Sequence, residues 1–540
     1  MNVDRAAPLW GTDERRALHS RLREAGPAWD LVVVGAGITG AGIARDAAMR
    51  GLSVLVIEAQ DVAYGTSSRS TRLIHGGVRY LEQGELGLVY EALRERARLY
   101  ESAPHLVRAA RFLFPAYRGD RLGPWKLRLG LTLYDTLNFH RGESHDFLSA
   151  EATRMVEPLL AEADLRGAVQ YEDAVTDDAR LTLAILLDAR RHGAEVLTYA
   201  KVASITGARG AHEIVLADGV RVPARVAVIA AGPWSGPALL GKTGDDLLSL
   251  SKGIHIVMRH DDVPVKQPVV IQAQEQRRIL FVVPWGTRTY LGTTDAPYVG
   301  DPGKSGVTEA DELELLAQVG RLLPGARLRQ DAIVSAWSGV RPLVKSEKAS
   351  RGDTVELSRK HRVVERDDGV LGIVGGKLTT YRSMAEELVD EVVTKLVALD
   401  PARTIGACTT HRVPLVPGEQ PSGEALEDPL IADLLARHGP AARELAAACR
   451  DESRGRIIDD LPYRWCEVDH AIAYEGVVHA IDIVRRRLPL VLTDAALGGH
   501  VIAEIVRRLV DARGGTQADI DDELERYREE VRTETRREPG

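Results

Sequence analysis

Residues 30–58 read D-L-V-V-V-G-A-G-I-T-G-A-G-I-A-R-D-A-A-M-R-G-L-S-V-L-V-I-E. The opening run, residues 30–34, is short and β-branched, the kind of strand buried on both faces of a parallel sheet. Gly35, Gly37 and Gly40 then space a G-x-G-x-x-G turn into an alanine-rich helix that ends near Gly51. A second apolar strand, Val54 to Ile57, finishes on Glu58. The first glycine makes the tight turn, the second lets a pyrophosphate approach the backbone, and the third lets helix pack on strand. The helix N-terminus favours phosphate, and an acid at this distance accepts hydrogen bonds from a ribose. Glycines serving only close packing would not need Glu58. The stretch predicts a Rossmann-like α/β domain that binds a dinucleotide.

The rest of the chain sets bounds on that reading. Its 540 residues exceed a single core, so two or three domains are expected. A 44% hydrophobic and 27% charged composition fits a globular chain and gives no sign of disorder. The net charge of −8 argues against nucleic acid as the main partner. Cys408, Cys449 and Cys466 form no C-x-x-C pair, so no metal site is expected and reduced cytosolic thiols are. Residues 1–27 have no apolar core of signal-peptide length and carry acids, and are read as an N-terminal extension. No apolar run approaches the roughly 20 residues of a spanning helix. The protein is expected not to cross a membrane, though it could lie on one.

Which dinucleotide is bound depends on three later stretches. Residues 63–70, A-Y-G-T-S-S-R-S, offer the hydroxyls of Thr66, Ser67 and Ser68 to phosphates and a ribityl chain. A buried strand, Val226 to Ala230, runs into Gly232-Pro233-Trp234. A third strand meets Gly375-Gly376 and a helix whose start carries Lys377, Leu378, Thr379 and Thr380. A lysine at a helix N-terminus stabilises developing negative charge. Reduced flavin acquires such charge on its pyrimidine end, and nicotinamide does not. Three strand–glycine turns spread over roughly 340 residues therefore point to one extended FAD across a discontinuous domain.

Four runs carry a family resemblance: T-S-S-R-S-T-R-L-I-H-G-G-V-R-Y-L-E (66–82), A-A-G-P-W (230–234), S-G-V-R-P-L (338–343) and G-G-K-L-T-T-Y-R (375–382). They resemble the FAD-dependent, respiratory, quinone-reducing glycerol-3-phosphate dehydrogenases, within the D-amino-acid-oxidase-like flavoproteins. The resemblance is close over residues 28 to about 400. It continues more diffusely through R-W-C-E-V-D-H-A-I-A-Y-E and D-I-V-R-R-R-L-P-L. The N-terminal extension departs from the pattern, and Arg69 and Arg72 add positive charge beside the phosphate-binding loop.

The resemblance implies oxidation of sn-glycerol 3-phosphate to dihydroxyacetone phosphate, with hydride transfer to flavin N5. His75, Gly76 and Gly77 would run beside the isoalloxazine, the two glycines letting the backbone approach the ring. Arg79 and Tyr80 would face the substrate. A phosphate dianion calls for cations, and arginine's planar fork suits its oxygens. Arg79, Arg341 and Lys377 are the candidates. Against them stand a structural ion pair of Arg79 with Glu82 or Glu85, and Arg341 as a surface cap on a strand. The C2 hydroxyl proton needs an acceptor, and His255, in the alternating run L-S-K-G-I-H-I-V-M, is favoured. His75 is the second candidate for that role. A satisfied core histidine at 255 and a relay through water stay open.

These readings give a fold of α/β plus α+β type. The Rossmann-like FAD domain is built from 28–110, 150–240 and 360–400. An antiparallel-sheet substrate domain occupies 241–359, and a helical domain 405–540, with residues 417–429 as a polar linker or loop. The family's usual acceptor is a membrane quinone. Residues 118–134 mix Arg118, Arg121, Lys126 and Arg128 with Trp125, Leu127, Leu129, Leu131 and Leu133, which suits an anionic headgroup region. A helix packed on the FAD domain would read the same way. Arg485, Arg486 and Arg487 form a second basic patch, either membrane-facing or solvated. The expected partners are the substrate, a quinone and the inner-leaflet membrane surface, with a homodimer left open. The expected location is cytoplasmic and peripheral to the membrane. An oxidase that reduces oxygen to hydrogen peroxide, and a non-catalytic flavoprotein redox sensor, are the alternatives.

Overall fold

The strand Trp29–Val34 sits between Val54–Ile57 and Arg221–Ile229, parallel to both and buried along five of its six residues. Such a strand needs cover on both faces, and the chain supplies it. In the computed structural model, which describes residues 9–24, 26–77, 84–137, 144–241, 247–273, 279–345 and 360–535, the parallel order is Leu371–Val374, Arg221–Ile229, Trp29–Val34, Val54–Ile57, Glu195–Leu197. Helices Ile38–Met49, Asp178–Arg191 and Tyr381–Leu399 pack together on one face. The hairpin of Val202–Ala208 and Ala211–Leu216 contributes to the core on the other. Leu18 and Leu22 of the helix Thr12–Leu22 join that second core, and Trp10 is buried in the first. Arg15 also donates to Thr198 O at 2.8 Å. The described part of the N-terminal extension, from residue 9, is part of the fold.

A second, ten-stranded sheet lies beside the first domain. Near one end of it, Leu248–Arg259 is flanked by Arg288–Gly292 on one side and paired along its length with Ile333–Val344 on the other. It also takes in Leu73–Ile74, Val107–Tyr117 and Leu165–Thr176. The sheet therefore reaches well outside 241–359, which corrects the expected division of the chain. Pairing between strands about 150 residues apart, such as Val269 with Leu113, leaves no mark in local periodicity.

The C-terminal part is helical, from Pro429–His438 to Gln517–Thr535. Two expectations fail here. Arg485, Arg486 and Arg487 lie in a π-helical turn and are 1–3% exposed. Arg486 and Arg487 both pair with Asp61, and Arg485 pairs with Glu534. Asp61 is distant in sequence, so the run reads as a surface patch until the chain is folded. Cys449 and Cys466 are joined by a disulfide, with Cα atoms 5.5 Å apart. The helix Ala442–Ala448 and the start of Trp465–Tyr474 bring together two thiols expected to be free.

Residues 124–137 form a helix with Leu127, Leu131 and Tyr134 buried. Trp125 and Leu129 are 67% and 64% exposed on its outer side. Among the described residues, no helix is long and apolar enough to cross a membrane.

Candidate active site

The turn after the first strand could be built only with glycine. Gly35 has φ of +112°, and a Cβ there would lie 2.6 Å from the Ala230 carbonyl oxygen. A Cβ on Gly40 would fall on the Gly35 carbonyl. The Ile38 N–H, in the first turn of the helix Ile38–Met49, donates to Ser67 Oγ at 2.9 Å. Glu58 accepts from the Ala36 N–H at 2.7 Å and the Gln60 N–H at 2.9 Å, while burial raises its carboxyl pKa. Thr66 donates to the Val340 carbonyl at 2.6 Å, tying the hydroxyl-rich loop to the second sheet.

From this turn a cavity of about 1090 Å³ runs between the two sheets. Gly35, Gly37, Glu58, Thr66, Ser67 and Gly232 line one part. Gly375, Gly376, Lys377, Leu378 and Thr379 line another, where the last strand of the parallel sheet meets the helix Tyr381–Leu399. His75, Gly77, His255 and Arg341 also reach it. Gly40 and Ser68 do not line it. Gly40 serves helix–strand packing, and Ser68 is buried and gives its carbonyl to Arg485 at 3.4 Å.

Gly76 departs from expectation as well. A Cβ on it would meet the Tyr134 hydroxyl at 2.6 Å and Leu93 at 2.8 Å, so this glycine makes room for protein side chains. Gly77 and His75, its neighbours, are the cavity-lining residues. The His75 N–H donates to Thr379 Oγ1 at 3.2 Å, which joins the H-G-G segment to the start of the last helix. Arg79, Tyr80 and Glu82 lie outside the described residues. Glu85, the other suggested partner of Arg79, pairs with Lys360 at 2.7 Å.

His255 is 1% exposed and faces Trp337 on one neighbouring strand and Gly292 on the other. Its ring stacks on Trp337 with centroids 4.6 Å apart and planes 12° from parallel. Nε2 is 3.1 Å from Thr71 Oγ1, and Nδ1 has no hydrogen-bond partner among the described residues. That is not the arrangement of a satisfied core histidine. Burial first, then the Arg341 and Arg72 guanidinium groups, hold its pKa well below the usual value.

Arg341 is on the strand Ile333–Val344, opposite Ser251. Its guanidinium donates to Thr293 Oγ1 at 2.6 Å and to the Thr294 carbonyl at 3.2 Å, with Asp295 at 3.4 Å. A side chain at Gly253 would occupy the same space. Lys377 carries a buried ammonium just ahead of the turn Leu378–Thr380. The cavity thus gathers two imidazoles, His75 and His255, with the cationic groups of Arg341 and Lys377.

Arg69 and Arg72 do not add to that charge. Arg69 pairs with Glu534 at 3.3 Å. Arg72 is buried over Trp285, beside Asp177 at 3.4 Å and Asp178 at 3.6 Å. Thr71, Trp337 and the Thr293–Asp295 segment went unread in the sequence. Thr71 and Trp337 sit within or next to the quoted runs, and that adjacency was the only available signal.

A parallel dinucleotide sheet, a largely antiparallel sheet laid beside it and a shared cavity lined by His75, His255, Arg341 and Lys377 are the architecture of a flavin-dependent oxidoreductase. Known proteins agree. A family model described as FAD dependent oxidoreductase matches residues 30–382, and one described as the C-terminal domain of alpha-glycerophosphate oxidase matches 371–519. The aerobic glycerol-3-phosphate dehydrogenase of Staphylococcus haemolyticus is 36% identical over 401 residues, 72% of this chain and 71% of that one. The FAD-complexed glycerol-3-phosphate dehydrogenase from Bacillus halodurans superposes with a TM-score of 0.77 at 27% identity, covering 97% of this chain and 98% of that one. The L-alpha-glycerophosphate oxidase of Mycoplasma pneumoniae shares the fold, with a TM-score of 0.57 at 16% identity, over 68% of this chain and 95% of that one. The chain belongs to the FAD-dependent oxidoreductase family, among the aerobic glycerol-3-phosphate dehydrogenases.

Proposed function

We propose that the chain oxidises sn-glycerol 3-phosphate to dihydroxyacetone phosphate and passes the electrons to a membrane quinone. The observation that carries this reading is the single cavity joining the dinucleotide turn to His255, Arg341 and Lys377. FAD, when bound, would supply a two-electron acceptor for the substrate's oxidation. The glycine turn, Glu58, Ser67 and the Lys377–Thr379 segment are the residues that would hold it.

His255 acts as the base. Its lowered pKa leaves the ring unprotonated at neutral pH, ready to take the C2 hydroxyl proton. Arg341 offers its fork to the phosphate, and Lys377 adds a second charge. Arg79 and Tyr80 complete the substrate set that the family resemblance implies. His75, held through Thr379, shapes the flavin-facing wall.

The helix Pro124–Leu137 supports the membrane part of the reading. Trp125, Lys126, Arg128, Leu129 and Leu133 are exposed together, an apolar and basic mixture suited to anionic headgroups. Its buried Leu127, Leu131 and Tyr134 share an apolar cluster with Phe114 and Val270, which line the cavity. The inner-leaflet surface of the cytoplasmic membrane is the proposed location.

Anaerobic mixing of the holoenzyme with glycerol 3-phosphate should bleach the flavin, while glycerol should not. A flavin that stays oxidised would remove the substrate assignment and favour a non-catalytic sensor. Rapid oxygen consumption with substrate and no quinone would favour the oxidase. Reduction of a soluble quinone analogue under nitrogen, with co-sedimentation on anionic vesicles, is the expected outcome.

A further inference from the structure

Tyr134 is an unusual residue for the inner face of a surface helix. It is 2% exposed, and its hydroxyl donates to Asp173 Oδ1 at 2.7 Å while accepting the Gly76 N–H at 2.9 Å. Asp173 is itself 2% exposed and paired with the buried Arg96, which also donates to the Glu172 carbonyl at 2.7 Å. The network is anchored on three elements: the surface helix, the helix Leu86–Ser102 and the strand Leu165–Thr176. It ends on one backbone amide, between the two cavity-lining residues His75 and Gly77. On the far side, Thr379 takes the His75 N–H. The H-G-G segment is therefore held from both sides: Thr379 Oγ1 takes the His75 amide, and the Tyr134 hydroxyl takes the Gly76 amide, with Asp173 Oδ1 a longer second acceptor at 3.4 Å.

We propose that Tyr134 is a positioning residue for the H-G-G segment. Its hydroxyl, oriented by Asp173 and Arg96, fixes the Gly76 amide and so sets where His75 and Gly77 stand against the flavin. The inference rests on the reading of this cavity as the flavin and substrate site. A phenylalanine ring could fill the same apolar space, so the cluster gives no reason for a hydroxyl there. Only the buried polar contacts do: the hydroxyl is the nearer acceptor for the Gly76 amide and a donor to the buried Asp173 carboxylate.

The test is Tyr134→Phe, which keeps the ring and removes the hydroxyl. Hydrogen exchange of the peptide spanning residues 71–77 should speed up by about 2–12-fold, the range expected for one lost hydrogen bond. FAD affinity should weaken by a similar factor, and the flavin reduction potential should shift. None of these readouts needs a substrate, so they stand or fall separately from the glycerol 3-phosphate assignment, which wild-type bleaching tests. Unchanged exchange at 71–77 with an unchanged potential would overturn the proposal. So would a uniform acceleration that includes the core helix Tyr381–Leu399, because that would mark general destabilisation. The local change with an unaltered core helix is the expected result.

Discussion

The two ends of the cavity are built in different ways. The dinucleotide end is a backbone mould: Gly35, Gly37, Gly40 and Glu58 lie within 24 consecutive residues, and their spacing alone sets the geometry. The reaction end is a set of side chains brought from residues 71, 255, 293–295, 337, 341 and 377. Its geometry depends on the register of Leu248–Arg259 against Ile333–Val344, which puts His255 opposite Trp337 and Ser251 opposite Arg341. A mould fails all at once when a Cβ is added. A side-chain cluster should fail piece by piece, each piece with its own chemistry.

Gly35→Ala tests the mould and should have the largest effect. A residue forced to φ near +112°, with its Cβ 2.6 Å from a carbonyl oxygen, must move the turn. The purified variant should carry less than about a tenth of the wild-type flavin while keeping a folded circular dichroism spectrum, since strain of about 1–3 kcal/mol falls below typical stability. A variant that retains full flavin content would break the contrast between the two ends.

His255→Asn comes next and should leave flavin content intact. Loss of the base should slow flavin reduction by about 10²–10⁴-fold with little change in substrate affinity. The sign of the pH dependence follows from the lowered pKa. Acid protonates the wild-type ring and stops it accepting a proton, so the wild-type rate should rise with pH through a value below the usual 6.5. It should then stay flat through neutrality. The variant should lack that step in stopped-flow bleaching. If His255→Asn reduces flavin at the wild-type rate, the base is His75 or water.

Arg341→Ala should weaken glycerol 3-phosphate by roughly 10–150-fold, the range for a charge-assisted contact worth about 1.5–3 kcal/mol. Activity on glycerol should change far less, and flavin content not at all. Steady-state comparison of the two substrates measures this. Equal losses on both would make Arg341 a structural residue.

The same contrast explains what could be read from the sequence. Residues 30–58 fixed the parallel sheet and its turn, because a G-x-G-x-x-G between a buried strand and a helix has few other uses. Gly76 looked like a second mould of that kind, yet its missing side chain makes room for Tyr134, a contact across 58 residues. Arg341 and the run Arg485–Arg487 both read as available positive charge. The first reaches the cavity and the second is spent on Asp61 and Glu534. Charge type is legible from sequence, whereas the partner that uses up the charge is set by tertiary pairing. Thr71 shows the same limit: its hydroxyl matters only because the second sheet delivers His255 to it.

Thr71→Val should give the smallest effect and the finest test of the cluster. Thr71 Oγ1 lies 3.1 Å from His255 Nε2 and has nearly the shape of valine, so packing survives and one hydrogen bond goes. If that bond fixes the ring orientation, flavin reduction should slow by only about 2–12-fold. Flavin content and substrate affinity should hold. The single variant alone would not separate help given to His255 from a contact made by Thr71 itself. A double-mutant cycle does, because residues acting through one another are not additive. With His255 already replaced by Asn, adding Thr71→Val should cost nothing more in the reduction rate. A full further loss in the double variant would show that Thr71 acts on the substrate independently, and the reaction end would then hold one more separate piece.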